Sequence, residues 1–430
     1  MAPPPAWTVE SPVTPGYYIG IGSASKLAHP LDADAVAKQH ALDNLSREIR
    51  VKVDATSDMN VLQVNGWLNE SFTQQSQSTT QEDLEGFELV DTYANETEVL
   101  VYYRLSKAKH AQIKAAKRQA AIELADGQLQ AANRARMQGQ VQQAVDASIR
   151  GMDALRPFLD QPLIMPDENG ENRDVALALM QVLNACMTEV TLSCEREEVQ
   201  LTVDEAFRGE AVISAALNGV PAPNLPLNYK YSRGDLPTRS ETVTDGQGRA
   251  LIILEKFEPG TTESLLEIAV NGTALAQNLP LTHPFRATAQ SMQSAPLRVP
   301  VKLEPVQLQL KVEERAFGKK RDREVLNPAI RQALQTSNVR LTEDCDPCMT
   351  MVLEADARPG GQGQGFTTVY LDLVGTVTDD QGEVIFTQTL TKIKGIQMDA
   401  MRATDAAYDK AAEEIQDTFM PALIRLWHGF

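Results

Sequence analysis

The chain is poor in the residues that carry out chemistry. Its 430 residues include four cysteines and five histidines. The histidines (His29, His40, His110, His283 and His428) are scattered, and no two stand at HxxxH or HExxH spacing. A zinc-hydrolase helix is therefore not encoded. No GxSxG occurs. Neither Gly20-Ile21-Gly22 nor the glycine-rich run from Gly360 to Gly365 has the Lys-Ser/Thr ending of a phosphate loop or a GxGxxG spacing. Carboxylate neighbours such as Asp379 and Asp380 fall in turn contexts, where Asp is expected for its local backbone bonding. The expectation is a protein that is not an enzyme, with no catalytic, cofactor-binding or metal-binding set.

Positive charge is also scarce. Forty Lys and Arg stand against 58 Asp and Glu, for a net charge of -18. A phosphate-binding face needs concentrated cations, so nucleic acid is an unsuitable partner. The one basic cluster, Lys319-Lys320-Arg321-Asp322-Arg323, reads as a solvated helix start. Contact with anionic lipid headgroups or a cell-wall polymer is its alternative reading. No apolar run approaches the roughly 18 residues of a membrane span. The opening Met-Ala-Pro-Pro-Pro-Ala-Trp has neither the basic region nor the apolar core of a leader. It suits either a cytoplasmic chain or a mature start from which a leader was removed.

The cysteines form two local pairs, Cys186 with Cys194 and Cys345 with Cys348, which is the usage expected of an oxidising compartment. Cys345-Asp346-Pro347-Cys348 is a CxxC. Its acidic surroundings, Glu343, Asp344 and Asp346, would raise a thiol pKa and disfavour redox catalysis. A local disulfide or two structural thiols remain. Zinc needs four ligands, and the spacing of Cys186 and Cys194 suits a disulfide joining a helix to the next strand better.

What is present is a succession of modest folding patterns. Residues 1–14 are proline-rich and read as a tether. Tyr17 to Gly22 reads as a strand ending in a small-residue turn, residues 22–25. A helix from about Asp32 to Ile49 carries Ala33, Val36, Ala37, Ala41, Leu45 and Ile49 on one face. Half of that face is alanine, so helix and sheet can approach closely. Alternation from Ile49 to Thr56 predicts a strand. Residues 59–85 are rich in Gln, Ser and Thr and read as either a long strand or an excursion. A hairpin follows, turning at residues 94–97. Residues 15–105 thus read as an α+β domain.

Residues 106–190 read as a helical spacer. Ser106 caps a helix to about Met137, Gly139 breaks it, and Val141, Ala144, Val145, Ile149 and Met152 mark a second helix. A third runs from about Asp174 to Met187. Residues 195–285 show short strands between turns, including Thr244-Asp245-Gly246-Gln247-Gly248, and suggest a β-sandwich. Pro284, Pro296 and Pro300 punctuate a linker. Residues 300–430 return to strands and helices, with a glycine loop over residues 359–365 and a last helix that Pro421 should kink. The fold class expected is multidomain α+β, with helix-on-antiparallel-sheet domains at both ends and an all-β sandwich between.

Four resemblances attach to these residues. Gly20-Ile21-Gly22, the alanine-rich helix to Ile49 and the hairpin return from Val99 to Ile113 resemble the LPP-twenty lipoprotein family, over roughly residues 15–115. That resemblance implies export, frequent lipid anchoring in the outer membrane, no catalysis, and kinship with flagellar-motor ring and disk proteins. The family's anchoring cysteine is missing here. The single helix pair of residues 129–155 resembles a tetratricopeptide unit, although solenoids need about three. Residues 241–254 resemble the late strands of invasin-type bacterial Ig-like modules, which act as spacers or adhesive units. Residues 369–390 with the terminal helix are similar to the N-terminal domain of TolB and the CsgG-like fold. Together they imply a periplasmic, outer-membrane-associated protein that works by assembly with itself and with envelope proteins, after loss of a lipid anchor. The alternative is a periplasmic or surface module that recognises glycan or protein through its Ig-like domain.

Overall fold

The chain is a multidomain α+β protein. The computed structural model describes residues 4–54, 84–159, 161–167, 169–235, 237–280, 294–343 and 348–429. It divides into two compact units, residues 1–190 with 272–293, and residues 191–271 with 294–430.

The first unit opens with a three-stranded antiparallel sheet of order β1-β3-β2, from β1 (Tyr17–Ser25), β2 (Glu88–Ala94) and β3 (Glu98–Ser106). Helix α1 (Ala33–Asp54) packs on β1 and β3. Two expectations fail here. The small residues 22–25 do not turn but continue β1, pairing through Ser25 with Glu98, because Gly22 and Ala24 lie on the face under α1. The strand expected from Ile49 is helical as far as Asp54. Ile49 completes the i, i+4 row of Ala37, Ala41 and Leu45, all wholly buried, and that row continues the helical period. The rest of the expected strand, and nearly all of the Gln/Ser/Thr stretch, lie outside the described residues. The hairpin turn is set by Asn95, whose side-chain oxygen accepts from the Thr97 and Glu98 amides at 2.8 Å each.

Helix α2 (Lys107–Met137) starts at Ser106, whose hydroxyl accepts from the Lys109 amide at 3.4 Å. Gly139, at φ 72°, breaks it before α3 (Val141–Leu155). A short hairpin of β4 (Ile164–Pro166) and β5 (Asn172–Asp174) leads to α4 (Val175–Thr188), capped by Asp174 through the Leu177 amide. The three helices bury Leu129, Ile149, Met152 and Leu179 between them. The ion pairs Arg136–Glu189 and Arg173–Asp126 flank this core.

The second unit begins with a sandwich. One sheet has the order β11-β10-β13-β14-β7 and the other β12-β8-β6, with β9 on β8. Their strands are β6 (Val190–Cys194), β7 (Val199–Leu201), β8 (Gly209–Leu217), β9 (Val220–Pro221), β10 (Pro226–Ser232), β11 (Pro237–Val243), β12 (Arg249–Leu254), β13 (Glu263–Val270) and β14 (Leu297–Leu303). Alternation buries Ala211, Ile213, Ala215 and Leu217 of β8 against Leu266, Ile268 and Val270 of β13. The strands of the sandwich therefore run from residue 190 to residue 303. The expected proline linker is in part β14, where Pro300 lies just before the three residues that pair with β7.

The C-terminal domain has β15 (Val306–Ala316), β16 (Lys319–Lys320), α5 (Leu326–Leu334), β17 (Val339–Thr342), β18 (Met349–Gly363), β19 (Phe366–Thr378) and β20 (Val384–Gln397). The sheet order is β16-β15-β18-β19-β20 with β17 on β15. It is mixed rather than antiparallel throughout, because β15 pairs in parallel with β17 and β18. The expected glycine loop is mostly strand. Gly363 pairs with Phe366, and the turn itself is Gln364-Gly365, both at positive φ. Helix α6 (Ala400–Glu414) runs through a π-helical turn (Ile415–Phe419) into α7 (Met420–Trp427). The π turn lies just before Pro421, whose missing amide disturbs the ladder there. It also shifts the helix phase, so Trp427 is buried while Leu426 is 46% exposed.

Candidate interaction surface

The N-terminal sheet is built so that its two edges differ. Gly20 and Gly22 of β1 lie directly under α1. A Cβ at Gly20 would stand 2.7 Å from the Leu45 Cβ and 2.9 Å from its nitrogen, and would also collide with the Ala41 carbonyl. One at Gly22 would strike the Ala41 nitrogen and the Ala37 carbonyl. Glycine on the strand and alanine on the helix thus bring two backbones into contact. Gly20-Ile21-Gly22 serves this approach.

The close approach lets the polar side of α1 reach the outer rim of β1. Asn44 Nδ2 donates to the Ile21 carbonyl at 2.8 Å. His40 Nδ1 donates to the Ser23 carbonyl at 2.9 Å. The Ile19 amide donates to Glu48 Oε2. These three side chains are spaced i, i+4, i+8, so they form one row on the helix. The β1 residues they bond, 19, 21 and 23, point their backbone groups away from β3. An edge strand is ordinarily a template for another strand, and this one is closed.

At the opposite edge, β2 pairs with β3 alone among the described residues. Leu89 is 53% exposed and Val90 39%. A register shift between Leu89 and Asp91 bulges the strand. Glu88 pairs with Arg104 at 2.8 Å and holds its guanidinium above the usual arginine range. Trp7, in the segment expected as a free tether, donates from Nε1 to Asp91 Oδ2 at 2.9 Å, and its ring lies 5.6 Å from Tyr102. The chain start is therefore pinned beside this edge.

The other residues singled out by the sequence do not converge. Cys186 and Cys194 are free thiols, which overturns the expected bridge between them. Cys186 points into the core of α4, wholly buried, and burial pushes its thiol up to about 12. Cys348 is disulfide-bonded, and Cys345 lies outside the described residues. His29 faces Asp32 at 3.6 Å, and His110 meets the Tyr18 ring edge-on. His428 is buried, and His283 lies outside the described residues. No group of three or more His, Cys, Asp or Glu among the described residues could hold a metal ion.

The basic cluster is not a solvated helix start. Lys319 and Lys320 form β16, and Arg321 is packed against α6. Arg321 pairs with Asp405 at 2.6 Å and lies 3.9 Å over the Tyr408 ring, while Arg323 faces Asp405 at 3.7 Å. The true start of α5 is held by Glu314, whose buried carboxylate accepts from the Val325 and Leu326 amides. The surface hollows nearest the helical core and β15 are small, at about 320 and 230 Å³. The first is lined by Leu129, Arg136, Arg173 and Glu189, the second by Gln309, Arg331 and Glu343. The two arginines of the first already face Glu189 and Asp126.

The row His40, Asn44 and Glu48 was missed by sequence reasoning. Its signal was available as a polar stripe of period four beside the alanine stripe.

No protein-family model matches the chain, and no curated protein matches it. Among solved structures it is similar to a minor lipoprotein from Acinetobacter baumannii, at 17% identity over 28% of this chain and 96% of that one, with a TM-score of 0.21. It is similar also to the secreted protein HP1454 from Helicobacter pylori, at 12% identity over 95% of this chain and 98% of that one, with a TM-score of 0.20. The likeness is thus to one protein described as a lipoprotein and one described as secreted. No helix among the described residues is long and apolar enough to cross a membrane.

Proposed function

We propose that this chain is a non-catalytic assembly protein of the cell envelope, periplasmic and associated with the outer membrane. In the sharper form of this reading it is a ring or disk component of an envelope machine such as a flagellar motor. The observation that carries the reading is the asymmetry of the N-terminal sheet. One edge is closed by three side chains of α1, and the other presents Leu89 and Val90. A strand added at β2 would gain backbone hydrogen bonds from the edge and register from the bulge. The occupant proposed is a second copy of this chain.

Sedimentation of the full chain over rising concentration tests this. Self-association that is lost in Leu89→Lys with Val90→Lys is the expected result. A strictly monomeric wild type, or association indifferent to both substitutions, would count against it.

A second reading, recognition of glycan or protein by the Ig-like domain, draws on Leu251 and Ile253. These stand 50% and 38% exposed on the outer face of β12. Leu251→Ser with Ile253→Ser would abolish ligand capture under that reading and leave sedimentation unchanged under the first.

A further inference from the structure

We propose that the last turn of the chain, residues 427–429, is a proton-operated latch that locks the β-sandwich to the C-terminal α+β domain. Both belong to the second compact unit. The chain passes from one to the other through two residues, Glu304 and Pro305, between β14 and β15, while Gly260 of the sandwich lies against the Thr336 carbonyl and Asn338 Nδ2 donates to the Leu303 carbonyl at 2.9 Å. The latch is a separate contact made by the far end of α7.

Trp427 and His428 are each 3% exposed. The His428 ring lies 4.7 Å from the Phe207 ring of the sandwich, tilted by 31°, and the imidazole also bonds the backbone of Phe257. Phe207 and Phe257 are wholly buried. Phe207 is presented by the left-handed residues that end the short helical turn Val203–Glu205. Ala206 and Phe207 both adopt φ 51°, a left-handed conformation disfavoured by any residue with a Cβ. Hydrogen bonds from their amides to Val203 and Thr202 hold them there, at 2.9 and 2.8 Å. Two adjacent strained residues that present one aromatic ring to one histidine make a built contact. Gly429, at φ 67°, completes it against Ala206.

The contact is sensitive to a proton because His428 Nδ1 is buried with no hydrogen-bond partner. A neutral imidazole needs none there. An imidazolium places an N–H and a positive charge in the same dry spot. The charged groups on the elements packed against the ring are Asp204, Glu205 and Arg208 on the turn, Glu255, Lys256 and Glu258 after β12, and Arg425 on α7. Arg208 and Glu255 face each other at 3.5 Å and offset in part. Burial outweighs the hydrogen bond to the Phe257 backbone and lowers the basicity of His428 below its ordinary value of 6.5. The neutral closed state is thus favoured above that value, and the advantage is lost as pH falls below it. His40 differs, because its Nδ1 already donates to the Ser23 carbonyl.

Hydrogen exchange of the full chain, read by mass spectrometry at about pH 7.5 and about pH 5.5 and corrected for intrinsic rates, tests the latch. Severalfold faster exchange at the lower pH is expected in residues 203–208, 255–258 and 420–429, with α1 and β1 unchanged. His428→Phe keeps the ring contact and His428→Gln keeps a polar group. Neither titrates, so the pH effect should vanish in both. Equal protection at the two pH values in the wild type, a pH effect surviving in either variant that folds, or a loss of protection spread evenly over the chain would each overturn the proposal.

Discussion

The Cα of Gly22 lies so close beneath α1 that a side chain there would collide with the backbone nitrogen of Ala41. The same device recurs at the other end of the chain, where a Cβ on Gly395 of β20 would stand 2.7 Å from the Ala407 nitrogen and 3.0 Å from its Cβ. In both domains a strand glycine meets a helix alanine, and the helix lies along an edge strand.

Gly22→Ala should therefore be among the costliest single-methyl additions in the first unit. The obstructing atoms are backbone and cannot rotate away, so α1 must lift, at a cost of about 1–3 kcal/mol or more. Gly127 is the control. It is in the interior of α2 with open space around it, so Gly127→Ala should be neutral or stabilising by up to about 1 kcal/mol. Urea unfolding followed by helical circular dichroism separates the two. Equal effects would refute the close-approach argument.

The row on α1 gives a second expectation. Removing Asn44 alone costs little, about 0.5–1.5 kcal/mol, because water can replace an exposed amide. Replacing His40, Asn44 and Glu48 together by Ala uncovers the whole outer rim of β1. That variant should form larger species than the wild type in sedimentation, through a second open edge. A triple variant no larger than the wild type would mean that the row contributes stability without guarding the edge.

Much of this was legible in the sequence, and the failures have local causes. The alanine face of α1, the Ser106 cap, the break at Gly139 and the turns opened by Asp245 and Asp379 were all readable from short-range patterns. Asp245 Oδ1 accepts from the Gln247 and Arg249 amides, and Asp379 Oδ1 from those of Gln381 and Glu383. Each turn is encoded within five residues. What failed depended on distant partners. Residues 22–25 look like a turn until α1 covers them, and Ile49 to Asp54 alternates like a strand although Ile49 belongs to a helix row. Pro300 resembles linker because nothing nearby shows that β7 will pair just beyond it. Arg321 resembles a solvated cation because Asp405 and Tyr408 lie more than eighty residues away. The edge-closing row needs both elements in place before its purpose is visible.

Cys186 makes a third expectation. Burial raises its thiol up to about 12 and leaves almost no thiolate at neutral pH. It should resist alkylation in the native protein, whereas Cys194, half-buried in β6, should react first. Mass-spectrometric mapping after a brief iodoacetamide pulse checks the order. Labelling of Cys186 at the rate of Cys194 without denaturant would show that α4 opens in the native state.

Tyr408 provides the pH test for the C-terminal core. Its hydroxyl lies 2.6 Å from the Arg315 carbonyl and 3.1 Å from that of Ala355, so it can donate to either. Burial pushes the phenol up to about 12, although Arg321 pulls the other way. The folded state therefore prefers the protonated phenol more strongly than the unfolded chain, whose phenol ionises at its ordinary value of 10.0. The contribution is fully present below that value and is lost as pH rises through the folded one, so alkali should weaken this domain. Tyr408→Phe removes the titrating group and the one hydroxyl hydrogen that the Arg315 and Ala355 carbonyls share. It should cost about 1–2 kcal/mol at neutral pH and flatten the alkaline loss. Urea unfolding at about pH 8 and about pH 11 measures both effects. A variant as stable as the wild type at neutral pH, or one that loses stability in alkali as steeply, would place the phenol outside the contacts that hold β15, β18 and α6 together.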